Sequence, residues 1–396
     1  MPESHINSYY SQTCEHKSYA PLSQDLDVDV CVIGGGLAGL NTALELACAG
    51  SKVALIEANK IAWGASGRNG GFVSAGYTLG TDILSKKLGL AKVKYMHGLT
   101  KNAVDTVRTR AKSARYNCMV TEGNIEGHLW LQETAPEELA EYNDCFGAEL
   151  SYWDSLKTQG HYHTKAYKGA TFDPNAFHFH PLNYALEIAA LAEEKGVKIF
   201  EDTPALKISE KTGQVCVETL NGIIKANQIV LTCSGYIRNL YPKLSRATMP
   251  ITTYVMVTEP LGERLAKTVT DMPYSVIDER ISCDYWRPLP DGSTRILWGG
   301  RITAWPAAPD KVASIMRKSM LRIFPHLADV QIQSAWSGKM GYARHRMPMI
   351  GKINDQIWYN TGFGGHGMAA TTMGAKVVAG GMTGASEDYL LFKPFG

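Results

Sequence analysis

No basic stripe runs through this chain. Its 40 Lys and Arg are scattered among 38 Asp and Glu, for a net charge of +2. A nucleic-acid partner is therefore not expected. No CxxC pair occurs among the eight cysteines, Cys14, Cys31, Cys48, Cys118, Cys145, Cys216, Cys233 and Cys283. That argues against a disulfide framework, a zinc finger and a redox dithiol. The cysteines read as reduced, mostly buried thiols of a cytoplasmic protein. No apolar run reaches the roughly 18 residues of a membrane helix, so no transmembrane segment is expected. Residues 1–27 have neither a basic start nor an apolar core, and a signal peptide is not expected. Repeats and low-complexity stretches are missing. His161, His163, His178 and His180 alternate as HYH and HFH with no Cys or carboxylate cluster beside them. They read as structural or surface groups, and no metal site is predicted.

What is present starts at Asp29–Ile33, DVCVI, an apolar β-branched run that reads as a buried strand. Gly34, Gly36 and Gly39 then match GxGxxG. Leu37, Leu40, Ala43, Leu44 and Ala47 follow at helical spacing until Gly50. Lys52–Ile56 reads as a second strand, and Glu57 ends it 18 residues after Gly39. Each part has a mechanical reason. The glycines allow a tight turn, close approach of a pyrophosphate, and packing of helix on strand. The helix N-terminus offers free N–H groups, and the acid suits ribose hydroxyls. Ile33, Gly34, Gly36, Leu37, Ala38, Gly39, Glu57 and Ala58 are thus candidate cofactor-binding residues.

Further βα units would favour a nicotinamide dehydrogenase. The chain turns instead into WGASGRNGGF, Trp63–Phe72. A loop so cleared of side chains suits backbone N–H groups lying against a cofactor. Near the other end, Ile357–Tyr359 reads as a strand. Gly362, Gly364, Gly365 and Gly367 make a loop, and a helix is expected from about Met368. Its N-terminus would stabilise negative charge developing on a redox ring.

DVCVIGGGLAGL, LIEA and WGASGRNGG resemble the FAD-dependent D-amino-acid-oxidase-like superfamily, and its γ-glutamylputrescine oxidase-like branch in particular. The likeness extends to the N-terminal NSYY and to segments 173–202, 227–236, 284–301, 336–351 and 360–382, most of the chain. It implies an α/β fold: a Rossmann-like FAD-binding domain (1–85, 166–235, 331–396) interleaved with a mixed-sheet substrate-binding domain (86–165, 236–330). Helices are expected over 91–115 and 309–324. The resemblance adds Gly64, Ala65, Ser66, Gly67, Arg68, Asn69, Gly70, Gly71, Ala205, Ser234, Gly235, Met340, Gly341, Gly364, Gly365, His366, Gly367 and Met368 to the FAD contacts.

The implied reaction is oxidation of a C–N bond. Hydride passes from the carbon beside a neutral amine to flavin N5, the imine is hydrolysed, and oxygen reoxidises the flavin with release of peroxide. The partners are a small-molecule amine and oxygen or another electron acceptor. Three residues are candidates for catalytic roles. His366 would tune the flavin. Arg301, at the end of a hairpin strand, faces either the flavin or solvent. Arg68 either touches flavin or substrate or pairs with a surface acid. Trp286, Trp298, Trp305 and Tyr254 line a channel or pack a core. Glu259, Asp278, Glu279 and Asp284 meet a cationic tail or are solvated.

Three departures from the sarcosine-oxidising branch are informative. Gly71 and Ala369 stand where that branch binds a substrate carboxylate with Arg and Lys. Met340 stands at its flavin-linking Cys, so FAD is expected to be non-covalent. Leu297 stands near its oxygen-activating Lys, which leaves room for a dehydrogenase that passes electrons to a quinone. Flavin motifs report binding rather than turnover, so a silent FAD-binding protein is a further alternative. A disulfide-reductase-like flavoenzyme would need a second GxGxxG and a Cys pair. A tRNA-modifying member would bring a basic surface.

Overall fold

The computed structural model describes residues 3–14, 17–211, 213–280 and 282–395. The strand Leu26–Ile33 ends in four consecutive buried residues, Val30 to Ile33. Burial on both faces marks a strand inside a parallel sheet. It pairs in parallel with Val53–Ile56 on one side and Ile223–Leu231 on the other. Lys198–Phe200 and Ile357–Thr361 extend the parallel part. Met349–Lys352 closes one edge antiparallel, and the hairpin Lys207–Lys211 and Gln214–Glu218 joins through Ile223–Leu231. Helices Leu37–Cys48, Pro181–Glu194 and Gly367–Thr383 share one apolar core against this eight-stranded sheet.

The second sheet has nine strands and is mostly antiparallel. Thr248–Thr258 lies between Ile332–Ala343 and Ile296–Thr303. Beyond them come Tyr285–Pro288, Ser275–Asp278, Thr121–His128 and Gly169–His178. Its own core stacks Trp286 on Trp298, with ring centroids 6.0 Å apart and planes 4° apart. Phe324 meets Trp286 edge-on at 5.2 Å, beside Met316 and Met320 of helix Pro309–Ile323. Trp286, Trp298 and Tyr254 are core residues and not a channel, whereas Trp305 is 83% exposed.

Each of the two sheets draws strands from distant parts of the chain. Strands Gly169–His178 and Ile332–Ala343, expected with the cofactor domain, belong to the second sheet. Helix Leu90–Lys112, expected with the substrate domain, buries Val93, Met96, Ala103, Val104 and Val107 in the core of the first. It packs on its neighbour Thr81–Leu88 and on the distant helix Gly367–Thr383, and only the folded chain shows the second partner. No helix among the described residues is long and apolar enough to cross a membrane. No group of His, Cys, Asp and Glu among them could hold a metal ion.

Candidate active site between the two sheets

The dinucleotide turn forms where its glycines fall. Gly34 leaves the strand at φ +117°, in a region closed to most side chains. A Cβ on Gly39 would stand 1.8 Å from the Gly34 carbonyl oxygen, so helix Leu37–Cys48 approaches the strand as only glycine permits. Glu57 accepts hydrogen bonds from the Gly35 amide at 2.7 Å and the Asn59 amide at 2.9 Å. Burial pushes its carboxyl above the usual range, with those two amides opposing.

The loop Trp63–Phe72 docks on this turn. Ser66 Oγ accepts from the Leu37 amide at 2.9 Å, which caps the dinucleotide helix. Asn69 staples the loop internally. Its amide donates to the Ala65 and Ser66 carbonyls at 3.0 Å, and its oxygen accepts from the Gly71 amide at 2.7 Å. Arg68 is buried, with its guanidinium 4.2 Å from the Trp63 ring. It donates to the Ser337 carbonyl at 3.3 Å, while Nε and Nη2 find no partner among the described residues. Burial pushes it below the ordinary arginine value. No carboxylate pairs with it among the described residues.

A cavity of about 810 Å³ opens between the two sheets. Its wall includes Ile33, Gly34, Gly36, Leu37, Ala38, Glu57 and Ala58 from the dinucleotide unit. The loop adds Gly64, Ala65, Ser66, Arg68, Asn69 and Gly70. Ala205, Ser234, Met340, Gly341, Gly364, Gly365, His366, Gly367 and Met368 complete the predicted set on the wall. Four predicted residues lie behind it. Gly39 packs helix on strand. Gly67, Gly71 and Gly235 shape turns, and Gly71 has φ +80° with the Phe179 carbonyl oxygen 2.1 Å from where a Cβ would sit.

His366 precedes helix Gly367–Thr383, whose first turn no side chain caps. Burial pushes its imidazole below the usual value, opposed by hydrogen bonding to the Ser74 and Ala75 backbone carbonyls. Its Nε2 is buried with no partner among the described residues. Ser234 Oγ accepts from the Gly341 amide at 3.0 Å, and the Gly364 amide donates to the Gly341 carbonyl at 2.9 Å. The closing loop is thereby tied to the second sheet.

Arg301 is a correction. It is exposed and off the wall, although its neighbours Gly300 and Ile302 are on it. It sits at φ +55° where the register with Thr248–Thr258 slips. A bulge there leaves Arg301 unpaired and aims it outward. Asp278 and Asp284 are not solvated. Both are buried and share Arg280, which donates to Asp284 at 2.7 Å and through Nε to Asp278 at 2.9 Å.

Several wall residues carried no sequence signal. Asn124, Thr253, Ile277, Ser282, Cys283, Tyr285, Gly300 and Ile302 come from the second sheet and its loop. None of these eight is a cation, but Lys339 of strand Ile332–Ala343 and Arg238 also line the cavity. The Cys283 thiol is pushed up to about 11 by burial, so it stays protonated near neutral pH. Tyr285 lies under the loop, its ring 2.7 Å from a Cβ built on Gly70. Glu201 is also new. It accepts from the Ile61 amide at 2.7 Å and fixes the start of the loop.

The residues present fit FAD. Space is cleared at the dinucleotide turn, helix Gly367–Thr383 carries no side-chain cap, and buried polar atoms of Arg68 and His366 lack partners among the described residues. Comparison with known proteins agrees. Residues 29–380 match the DAO family, FAD dependent oxidoreductase. The chain is 32% identical to the probable oxidoreductase OrdL of Haemophilus influenzae, over 99% of this chain and 91% of that protein. It is 31% identical to the gamma-glutamylputrescine oxidoreductase of Escherichia coli, over 98% and 91%. Among solved structures, glycine oxidase from Bacillus cereus superimposes with a TM-score of 0.74 at 20% identity, covering 92% of this chain and 97% of that one. L-proline dehydrogenase from P. horikoshii does so with a TM-score of 0.74 at 19% identity, covering 94% and 96%. On this evidence of sequence and fold together, the chain belongs to the DAO family of FAD-dependent oxidoreductases and is an FAD-dependent amine or amino-acid oxidoreductase.

Proposed function

We propose that this protein oxidises the C–N bond of an amine with no carboxylate beside the reacting carbon, γ-glutamylputrescine above all, in polyamine breakdown. The observation that carries this reading is the wall from the second sheet. Asn124, Thr253, Ile277, Ser282, Cys283, Tyr285, Gly300 and Ile302 offer hydroxyls, an amide and apolar surface but no cation; the cations on the wall, Arg68, Arg238 and Lys339, come from other segments, with Arg68 against the Trp63 ring and Lys339 over the Tyr236 ring. Gly71 lies behind the wall and Ala369 on it, so neither offers a charge to an α-carboxylate. A zwitterionic amino acid would lose its anion partner, while an uncharged amine would not. The relative named for γ-glutamylputrescine supplies the candidate.

When bound, FAD supplies the acceptor for the two electrons leaving the C–N bond. The chain's own part is to place the amine and keep the site dry. Phe72, Ile277 and Phe363 exclude water, and Tyr285 and Asn124 orient the polar end. Neutral His366 presents Nε2 as a hydrogen-bonding group beside the cofactor. The uncapped amides of helix Gly367–Thr383 favour negative charge arriving there. FAD is held without a covalent bond, since Met340 and not a thiol stands at the predicted linkage position. Acid precipitation should leave the flavin in the supernatant. The eight cysteines form no disulfide among the described residues, which suits the cytoplasm.

The test is anaerobic mixing of the flavoprotein with γ-glutamylputrescine, sarcosine, glycine, D-alanine and putrescine. Loss of the flavin band with the first alone supports the proposal. Loss with sarcosine or glycine as fast as with γ-glutamylputrescine sinks it. Admitting air then decides the acceptor. Leu297 is fully buried and off the wall, so no lysine stands there to assist oxygen. That observation favours a second reading, a dehydrogenase, if colour returns only with a quinone and no peroxide forms.

A further inference from the structure

Arg287 is 1% exposed, two residues beyond wall residue Tyr285 on the same strand and hence on the same face. Its Nε donates to the Gly70 carbonyl at 2.9 Å. One terminal nitrogen meets His178 Nδ1 at 3.1 Å, and the other donates to Tyr10 Oη and the Phe179 carbonyl, both at 3.3 Å. His178 Nε2 lies 3.0 Å from the Pro273 carbonyl, which can only accept. The proton is therefore on Nε2, and Nδ1 accepts from Arg287.

Every partner is neutral. No carboxylate pairs with Arg287 among the described residues. Asp291 joins the network one ring further out, where it accepts from Tyr9 at 2.8 Å. An arginine in a protein interior remains a cation, and burying one without a counter-charge is unfavourable. The loop it grips is the wall of the cofactor cavity. Its hold on Gly70 turns that carbonyl away from the cavity, and its hold on Phe179 fixes the strand end against which Gly71 packs.

We propose that Arg287 is a positioning residue for the flavin loop, and that its unneutralised charge behind Gly70 favours reduction of the bound flavin. A hydride from the amine carries two electrons and one proton. The ring system that receives it gains one net negative charge. A fixed cation close by in a medium of low dielectric stabilises that charge. The inference rests on FAD binding alone and not on which amine is oxidised.

The experiment uses the full-length flavoprotein without any amine. Flavin is reduced by dithionite against a reference dye, and FAD release is followed by its fluorescence. Arg287→Met should shift the oxidised–reduced equilibrium about tenfold toward oxidised flavin, about 30 mV for a two-electron couple. Arg287→Lys keeps the charge and should restore most of that shift. It should still release FAD roughly tenfold faster, since an ammonium lacks the planar fork that reaches these acceptors. Tyr10→Phe removes an acceptor but no charge and should leave the potential unchanged. An Arg287→Met flavoprotein with the wild-type potential overturns the proposal. So does an Arg287→Lys protein shifted as far as the Met variant. If the Met variant does not fold, His178→Asp decides, because it neutralises Arg287 in place. A tenfold shift toward oxidised flavin then supports the proposal, and an unchanged potential overturns it.

Discussion

Gly71 shows how a single residue acts without touching the cavity. At φ +80°, with the Phe179 carbonyl oxygen 2.1 Å from where a Cβ would sit, it has no room for a side chain. Gly71→Ala should destabilise the protein by about 2–4 kcal/mol, from overpacking plus an unfavourable backbone conformation. Thermal unfolding and FAD titration read this out. A melting point and FAD affinity equal to wild type would contradict it. Arg301 makes the opposite case. Exposed and off the wall, it should tolerate Arg301→Ala with kcat/KM changed by less than about twofold, well under the tenfold that 1.4 kcal/mol represents. Glycine turns were legible because their demands are local. Arg287 was not, because Tyr10 and His178 lie 277 and 109 residues away in sequence.

Helix Pro181–Glu194 depends on His180, whose Nδ1 accepts from the Asn183 amide at 3.1 Å as an N-cap. Burial holds this imidazole down to about 3, and Arg287 adds to the effect. An unfolded histidine titrates near 6.5, so the unfolded chain takes the proton first. Stability is complete above about pH 6.5 and is lost as pH falls from there toward about 3. His97, held down to about 4 by burial, adds to the loss between about 6.5 and 4. Each histidine accounts for at most about 1.4 kcal/mol per pH unit inside its window. The melting temperature should drop between pH 7 and 5. His180→Asn, a cap that does not titrate, should flatten that slope, and a slope unchanged in the variant would assign the loss elsewhere. Most elements were legible from periodicity: the helix expected over 91–115 is Leu90–Lys112, and the one over 309–324 is Pro309–Ile323. The strand pairing that splits the chain was not, since register is chosen between distant segments.

Between the two sheets, the cavity draws its wall from both, so filling it should stabilise the whole molecule. Adding FAD to apoprotein at a hundredfold excess over Kd should contribute about 2.7 kcal/mol, visible as a higher melting temperature. Apoprotein and holoprotein melting together would mean that this cavity is not the seat of FAD. The βαβ turn, the cleared loop and the glycine-rich closing segment were determined by sequence alone. A backbone that must approach a phosphate or a ring leaves glycine behind as a record. The outward aim of Arg301, the burial of Arg68, the meeting of Asn124, Tyr285 and Ile302 on one wall and the Arg287 clamp were decided by tertiary structure alone. Each depends on which segments meet across the fold, and no short window of sequence holds both partners.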